Sequence, residues 1–127
     1  MDAAELRGHC LSLRGAEETF PFGAETSVFK VSGKMFALSQ PGADDLRISL
    51  KCEPALAQQL REAHAEVIPG YHLNKRHWNT VLLEGSLPEQ MIKNMIEDSY
   101  DLVVSGLPGR LRRALGWEPD EHQSAFE

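Results

Sequence analysis

The sequence predicts a single α+β domain in which helices pack on one face of an antiparallel sheet. The chain has 127 residues, 42% hydrophobic and 25% charged, which is the size and composition of one soluble globular domain. Alternating apolar and polar residues between positions 27 and 52 form consecutive strand-like segments with short turns. Strands joined by such turns run antiparallel, and the amphipathic helices before and after them are expected to cover one face.

Helical periodicity predicts three main helices. The first spans residues 2–14, with Asp2 as N-cap and Gly15 after its end, and the second spans 53–66, with Pro54 in its first turn. The third, 87–107, has the strongest pattern, with an apolar face made of Met91, Ile92, Met95, Ile96, Tyr100, Val103 and Val104. A short helix is expected at 108–116. The whole chain, 1–127, is predicted to be one domain, with a loose tail at 116–127.

Period-two alternation predicts the strands. Residues 27–39 predict a hairpin around a Ser32-Gly33 turn, with Phe36 and Leu38 on a shared face of its second strand. Residues 46–52 place apolar side chains on one face and polar side chains on the other, which predicts a strand with one buried and one wet face. Residues 16–23 are expected to form a loop. After the second helix, one or two strands are expected, ending with a strand from Trp78 to Leu83.

The charge of the chain is unevenly distributed. The net charge is −6, which argues against a surface uniformly coated for nucleic acid. Residues 28–82 nevertheless carry seven basic and five acidic side chains, whereas the segments on either side are acidic. A site for an anionic partner is therefore expected in the middle of the chain.

The chain shows no membrane or secretion signal. No apolar run approaches the roughly 20 residues needed to cross a bilayer, and the first residues include Asp2 and Glu5 and lack an apolar core. Cys10 and Cys52 are far apart and form no C-x-x-C motif, which is typical of reduced thiols. We expect a cytoplasmic protein with no membrane partner, monomeric, with a dimer left open.

Several motifs in one register identify a family. They are "FPFG", "VFKV" and "GKMFAL" within 20–38, "ISLKC" at 48–52, "PGYHLNKRHWNTV" at 69–81 and "SYDLV" at 99–103. Through them the chain resembles the MmcQ/YjbR family of small bacterial proteins, over roughly residues 1–107. The resemblance implies an MmcQ/YjbR-like fold related to that of CyaY, the bacterial frataxin. It also implies a DNA-binding role, attributed to the family from its "double-wing" arrangement, and it brings no catalytic residues.

A basic sheet face and the 71–79 loop are the candidate surface for nucleic acid or another anion. If the apolar side of the sheet meets the helices, its other side displays basic residues, and the loop adds basic and aromatic ones. The alternative is that these residues are simply the wet face of a sheet and the hydrogen-bonding braces of a loop. The candidates are Lys30, Lys34, Arg47, Lys51, Tyr71, His72, Asn74, Lys75, Arg76, His77 and Trp78.

The sequence predicts neither a metal site nor a catalytic site. His72 and His77 are five residues apart with no carboxylate between them, which is not a standard zinc spacing. Cys52 falls on the apolar side of its strand, as a small hydrophobe would. We expect a non-enzymatic protein with no cofactor and no metal. The runner-up hypothesis is a protein-interaction or small-ligand module whose acidic flanks meet a basic partner.

Overall fold

The computed structural model describes residues 1–43, 45–71 and 73–117. Within these ranges the chain forms one six-stranded sheet and four helices. The helices are α1 (Ala3–Ser12), α2 (Pro54–Ala63), α3 (Glu89–Ser105) and α4 (Gly109–Ala114). The strands are β1 (Ala16–Thr19), β2 (Ser27–Val31), β3 (Lys34–Ser39), β4 (Arg47–Lys51), β5 (Val67–Pro69) and β6 (Trp78–Leu82). The predicted α+β class with an antiparallel sheet is confirmed.

The strands lie in the order β1-β2-β3-β4-β6-β5, and every neighbouring pair is antiparallel. The prediction of a loop over residues 16–23 was wrong for its first part, because Ala16–Thr19 pairs with β2. This segment has two acidic residues and no apolar alternation, so its own residues do not favour a strand. It is an edge strand that forms because β2 offers it a complete set of pairing partners.

The helices α1, α2 and α3 pack on one face of the sheet. The core lies between that face and α1 and α3, and it contains Leu6, Cys10, Phe29, Val31, Ile48, Leu50, Val81, Ile92, Ile96, Tyr100 and Val104. The helix α2 lies on the same face, since the Asn79 side-chain amide donates to the Ala57 carbonyl at 3.3 Å. The opposite face, which we call the helix-free face, carries Lys30, Leu38, Arg47, Ser49, Lys51, Trp78 and Thr80.

A β-bulge in β3 changes which side chains face the core. Phe29 pairs with Ala37, but the next residue, Lys30, pairs with Met35, so Phe36 is the extra residue. Phe36 and Ala37 are both fully buried on the helix side, and Leu38 lies on the opposite face. The expectation that Phe36 and Leu38 share a face was therefore wrong, because strict alternation does not survive the extra residue.

The Ser32-Gly33 turn and the N-terminal end of α1 form as their local sequences predict. Ser32 and Gly33 have φ values of 49° and 79°, which is the two-residue geometry that matches the twist of a hairpin. Asp2 accepts from the backbone N–H of Glu5 at 2.8 Å, and Glu5 accepts from that of Asp2 at 3.3 Å. This reciprocal capping box fixes where α1 begins.

Ser99 joins α3 to the sheet where the β3–β4 ladder ends. Its hydroxyl donates to the Phe36 carbonyl at 2.6 Å and accepts from the Lys51 N–H at 2.8 Å. The ladder ends at the pair of Ala37 with Leu50, so the hydroxyl bridges the next two residues, Phe36 and Lys51. The side chain is completely buried. The adjacent Tyr100 packs edge-on against Phe36 and donates its hydroxyl to the Arg14 carbonyl, so the "SYDLV" motif has a structural role.

The predicted loose tail begins later than expected. Trp117 packs against the core, and its indole N–H donates to the Asp101 carboxylate at 3.1 Å. That part of the prediction was wrong, because a large aromatic side chain within reach of α3 gains both packing and a hydrogen-bond partner. The remaining tail residues, 118–127, lie outside the described residues. Of the helices in the described part, none has the length and apolarity needed to span a bilayer.

Replacing Ser99 with alanine should destabilise the fold. The variant leaves the Phe36 carbonyl and the Lys51 N–H without their partner, which costs about 1–3 kcal/mol in the free energy of unfolding. The measurement is urea denaturation. The matched control is Ser105→Ala on the same helix, an exposed serine that only bonds the Leu102 carbonyl, for which we expect a change within about 0.5 kcal/mol. Equal effects of the two substitutions would contradict a bridging role for Ser99.

Replacing Asp98 with asparagine should stabilise the protein at neutral pH. Burial, with the charges of Asp101 and Glu97 adding to it, raises the pKa of Asp98 from 3.8 to about 6. A carboxyl whose pKa is higher in the folded chain binds more protons there, so unfolding free energy falls as pH rises between about 4 and 6. The Asp98→Asn variant should be more stable than the parent at pH 7, with the gain vanishing below pH ~4. The exposed Glu84→Gln should show no such pH-dependent gain in urea denaturation.

Candidate functional site

The helix-free face carries three of the predicted cations. Arg47, Ser49 and Lys51 alternate with the core residues of β4, and Lys30 alternates with Phe29 and Val31 of β2, as predicted. Arg47 and Lys51 are four residues apart on one strand, about 13 Å along it. Lys30 lies two strands from Lys51, which is about 10 Å across the sheet. Lys34 is exposed at the start of β3, beside the turn.

The charges of these cations are only partly neutralised, with Glu17 as the cross-strand neighbour of Lys30 on the same face. In residues 1–43, 45–71 and 73–117, no acidic side chain forms an ion pair with Lys30, Lys34 or Lys51. Arg47 pairs with Asp45 at 3.3 Å, and the Asp45 side chain is 70% exposed. An exposed pair of this kind contributes about 0–1 kcal/mol, so a stronger anion can replace the carboxylate at little cost.

The 71–79 loop divides into a braced turn and a segment that folds over the helix-free face. Asn74 is a brace, since its side-chain oxygen accepts from the N–H groups of Arg76 and His77 at 2.9 and 3.3 Å. Tyr71 belongs to the second segment, because its N–H donates to the Thr80 hydroxyl at 3.0 Å. His72 lies outside the described residues, so its predicted role stays a prediction.

The loop cations differ in how much they are engaged. The Lys75 ammonium donates to the Gly70 carbonyl at 3.2 Å, and the Lys75 carbonyl accepts from Arg61 of α2 at 2.8 Å. The Arg76 side chain is exposed and makes no hydrogen bond or ion pair with the described residues. His77 is half-buried, and its carbonyl accepts from the Cys52 N–H at 2.8 Å. Arg76 is therefore the better placed of the two predicted loop cations.

Trp78 lies on the helix-free face. It shares that side of β6 with Thr80 and is the cross-strand neighbour of Lys51. Both sides of this strand carry apolar residues, so periodicity does not decide whether Trp78 faces the core, and strand pairing decides it. Gly70 passes so close that a Cβ on it would lie 2.8 Å from the Trp78 Cβ, and its N–H donates to the Trp78 carbonyl at 2.9 Å. A side chain at position 70 would collide with Trp78, so glycine is what allows the loop to pack directly against β6.

A cavity of about 280 Å³ opens on the same face, and sequence reasoning missed it. Its walls come from the loop after β1 and from the 71–79 loop, and its floor comes from β3 and β4. The lining residues are Phe22, Thr26, Leu38, Ser39, Gln40, Arg47, Ser49, Tyr71 and Leu73. Two of them, Phe22 and Tyr71, are 70% and 60% exposed. Large aromatic residues this exposed on facing loops are a stronger indication of a binding site than an isolated surface leucine.

The rim of the cavity combines a cation with an aromatic ring. The guanidinium carbon of Arg47 lies 6.0 Å from the ring centroid of Tyr71, within the range of a cation–π contact. Beneath them the hydroxyls of Ser49 and Thr80 are 2.8 Å apart and hydrogen-bonded. The structure therefore brings Arg47 and Tyr71 together, keeps Lys51 beside Trp78, and leaves Lys30 and Lys34 at a distance from both.

The Cys52 thiol is not poised as a nucleophile. Burial is the main cause that raises its pKa to about 11, with nearby carboxylates Asp98 and Glu53 adding to the effect. A thiol with this pKa is protonated at neutral pH, and the thiolate is the reactive form. Within the described ranges, no group of three or more His, Cys, Asp or Glu side chains is arranged to hold a metal ion.

The cavity escaped sequence reasoning because its parts are distant in the chain. Phe22 lies in a loop whose path the sequence does not predict, and alternation places Leu38 on the same face as Phe36, which the bulge prevents. One signal was available, the two aromatics flanking Pro21 in "FPFG". A tight turn can rarely bury two aromatic side chains at once, so this motif predicts at least one exposed aromatic residue. In the structure both Phe20 and Phe22 are exposed.

Comparisons with known proteins agree with this architecture. The profile of a family described as YjbR matches residues 11–102. The chain is 37% identical over 115 residues to an uncharacterized protein, YjbR, of Escherichia coli K12, covering 91% of this chain and 98% of that one.

Solved structures show the same fold. The crystal structure of the Deinococcus radiodurans protein DR2400, described as a DUF419 domain, has a TM-score of 0.85 and 41% identity, covering 92% of this chain and 89% of that one. A Pseudomonas syringae protein has a TM-score of 0.71 and 31% identity, covering 80% and 98% of the two chains. The match of one family profile to most of the chain and the shared fold lead to one conclusion: the chain belongs to the YjbR family.

Proposed function

We propose that this chain is a non-enzymatic protein that binds nucleic acid, with the helix-free face and the 71–79 loop as its contact surface. The observation that carries the proposal is the set of cations on that face, Lys30, Arg47 and Lys51. Two of them have no ion-pair partner in the described residues, and the third has only an exposed one. Lys and Arg side chains bind nucleic acids chiefly by neutralising phosphates.

Single strands suit this surface better than a duplex. The face carries Trp78 beside Lys51 and Tyr71 beside Arg47, so that each aromatic side chain lies next to a cation. Such interleaving lets bases stack while phosphates meet positive charge. Within the described residues, the helices α1, α2 and α3 lie on the other side of the sheet, which leaves none of them to serve as a recognition helix in the major groove.

The acidic character of the whole chain is compatible with this proposal. Most of the acidic excess lies outside residues 28–82, and acidic groups such as Glu97, Asp98 and Asp101 belong to α3 on the opposite side of the sheet. Charges further apart than the Debye length of ~8 Å at physiological salt are largely screened. We therefore expect the local charge of the face, rather than the net charge, to govern binding, and the binding to be salt-sensitive.

The cavity favours a second candidate function, the binding of a small ligand. Its mixed lining, with apolar side chains and a few polar groups, is typical of small-molecule sites. Under this alternative the protein would bind a small organic anion in the cavity and show no affinity for oligonucleotides.

Binding of a short thymidine oligonucleotide should weaken steeply with salt. Neutralisation of phosphates by the three sheet cations contributes about −2 to the slope of log K against log salt concentration. This contribution alone weakens binding roughly 20-fold between 50 and 200 mM salt. The measurement is fluorescence anisotropy with a labelled single strand and with the corresponding duplex. Lys30→Ala/Lys51→Ala should bind more weakly and reduce this contribution to about −0.7.

The matched control removes the same charge elsewhere. Arg110 and Arg113 are exposed on α4, outside the helix-free face, and Arg110→Ala/Arg113→Ala also lowers the net charge by two. This variant should keep the slope of the parent chain. The proposal fails if the single strand does not bind at low salt, or if the two double variants lose affinity equally.

The contribution of the loop can be measured with Lys75→Ala/Arg76→Ala. Each loop cation that contacts a phosphate adds about −0.7 to the slope for a single strand. Because Arg76 is exposed and Lys75 is already engaged with Gly70, we expect the double variant to lose about one such increment. A slope identical to that of the parent chain would remove the loop cations from the contact surface.

A further inference from the structure

We propose that the cavity on the helix-free face holds one unstacked base of a single strand, with the adjoining phosphate on Arg47. This inference rests on the proposed function and specifies how the same face would engage its ligand. It goes further by assigning the cavity, the exposed Phe22 and the polar floor to recognition of a base rather than of the backbone.

The walls provide the stacking surfaces that a base needs. Phe22 and Tyr71 both line the cavity and are 70% and 60% exposed. They belong to two different loops, and an unstacked base recovers its lost stacking when aromatic side chains cover its faces. Every base has an aromatic face, so this contact is tolerant of sequence.

The size and floor of the cavity restrict what enters it. Its volume of about 280 Å³ is near the lower end of known small-molecule sites, about 300–1,000 Å³, so it suits one ring system. Leu38 and Leu73 supply apolar contact, and Thr26, Gln40 and Ser49 supply hydroxyl and amide groups. A flat ring with polar edges matches this lining better than a branched apolar side chain would.

Charge complementarity identifies the anionic part of the ligand. The Arg47 guanidinium stands at the rim, against the Tyr71 ring, and its acidic partner is the exposed Asp45. A planar guanidinium donates to two phosphate oxygens at once. A phosphate can therefore displace the exposed Asp45 carboxylate from Arg47. A base in the cavity with its phosphate outside would satisfy both the apolar lining and the cation.

The chain offers a matched pair of variants for the test. Phe22 and Phe20 are exposed aromatics in the same loop, but only Phe22 lines the cavity. Because both side chains are largely exposed, neither substitution by alanine should unfold the protein. Phe22→Ala should weaken binding of the thymidine oligonucleotide by about fivefold to a hundredfold, the usual effect of removing a stacking partner. Phe20→Ala should bind as the parent chain does.

Two probes separate the base site from the phosphate contacts. An abasic strand of the same length keeps the phosphates and removes the bases. The parent chain should bind it more weakly than the thymidine strand, with the same salt slope. Thymidine monophosphate should shift the amide resonances of Ser49 and Tyr71 in a two-dimensional nitrogen–proton spectrum, and Phe22→Ala should reduce those shifts.

The outcomes distinguish this inference from the proposed function. Equal binding of the abasic and thymidine strands, with Phe22→Ala equal to Phe20→Ala, would overturn the base site and leave nucleic-acid binding standing. No oligonucleotide binding, but saturable shifts with thymidine monophosphate, would overturn both the proposed function and the single-strand base site and would support the small-ligand alternative. No oligonucleotide binding and no shifts with the nucleotide would overturn both.

Discussion

The two hydrogen bonds that join the Ser99 hydroxyl to β3 and β4 are the constraint on which the packing of the helices on the sheet depends. One side chain donates to the Phe36 carbonyl and accepts from the Lys51 N–H, at 2.6 and 2.8 Å. A buried hydroxyl can satisfy both backbone groups only at one depth and one angle of α3. The helix is thereby fixed over β3 and β4 at the centre of the sheet, and α1 and α2 pack on the same side.

Because the helices pack on one side of the sheet, the acidic side chains of α3 and the basic side chains of the helix-free face lie on opposite sides. Acidic groups of α3, including Asp98 with its raised pKa, lie on the helix side, whereas Lys30, Arg47 and Lys51 lie on the other. The sheet lies between the two sets, so the acidic side chains of α3 do not stand among these cations. The same chain can therefore be acidic overall and still present a basic face, which is the physical basis of the function proposed for it.

Much of the fold could be predicted from the sequence because it depends on local patterns. The capping box at Asp2, the Ser32-Gly33 turn and the alternation in β4 each involve residues close in the chain, and the structure has all three. The edge strand β1 could not be predicted, since its conformation is supplied by β2. Of the candidate site, the half-buried cations Lys30, Arg47 and Lys51 followed from parity, but the cavity could not be predicted, because the bulge breaks the alternation before Leu38 and only the folded chain brings the two loops together.

The bulge at Phe36 has a consequence for how this family can vary. It makes two successive residues, Phe36 and Ala37, face the helices, while Leu38 lies on the floor of the cavity. Deleting Phe36 would restore a regular ladder and leave Met35 and Leu38 facing outward and Ala37 facing inward, but it would remove a fully buried aromatic ring from the core. The bulge therefore lets β3 place one more aromatic side chain in the core without changing which of its residues line the cavity. Leu38 can thus be substituted to reshape the cavity while the inward-facing side chains of β3 stay as they are.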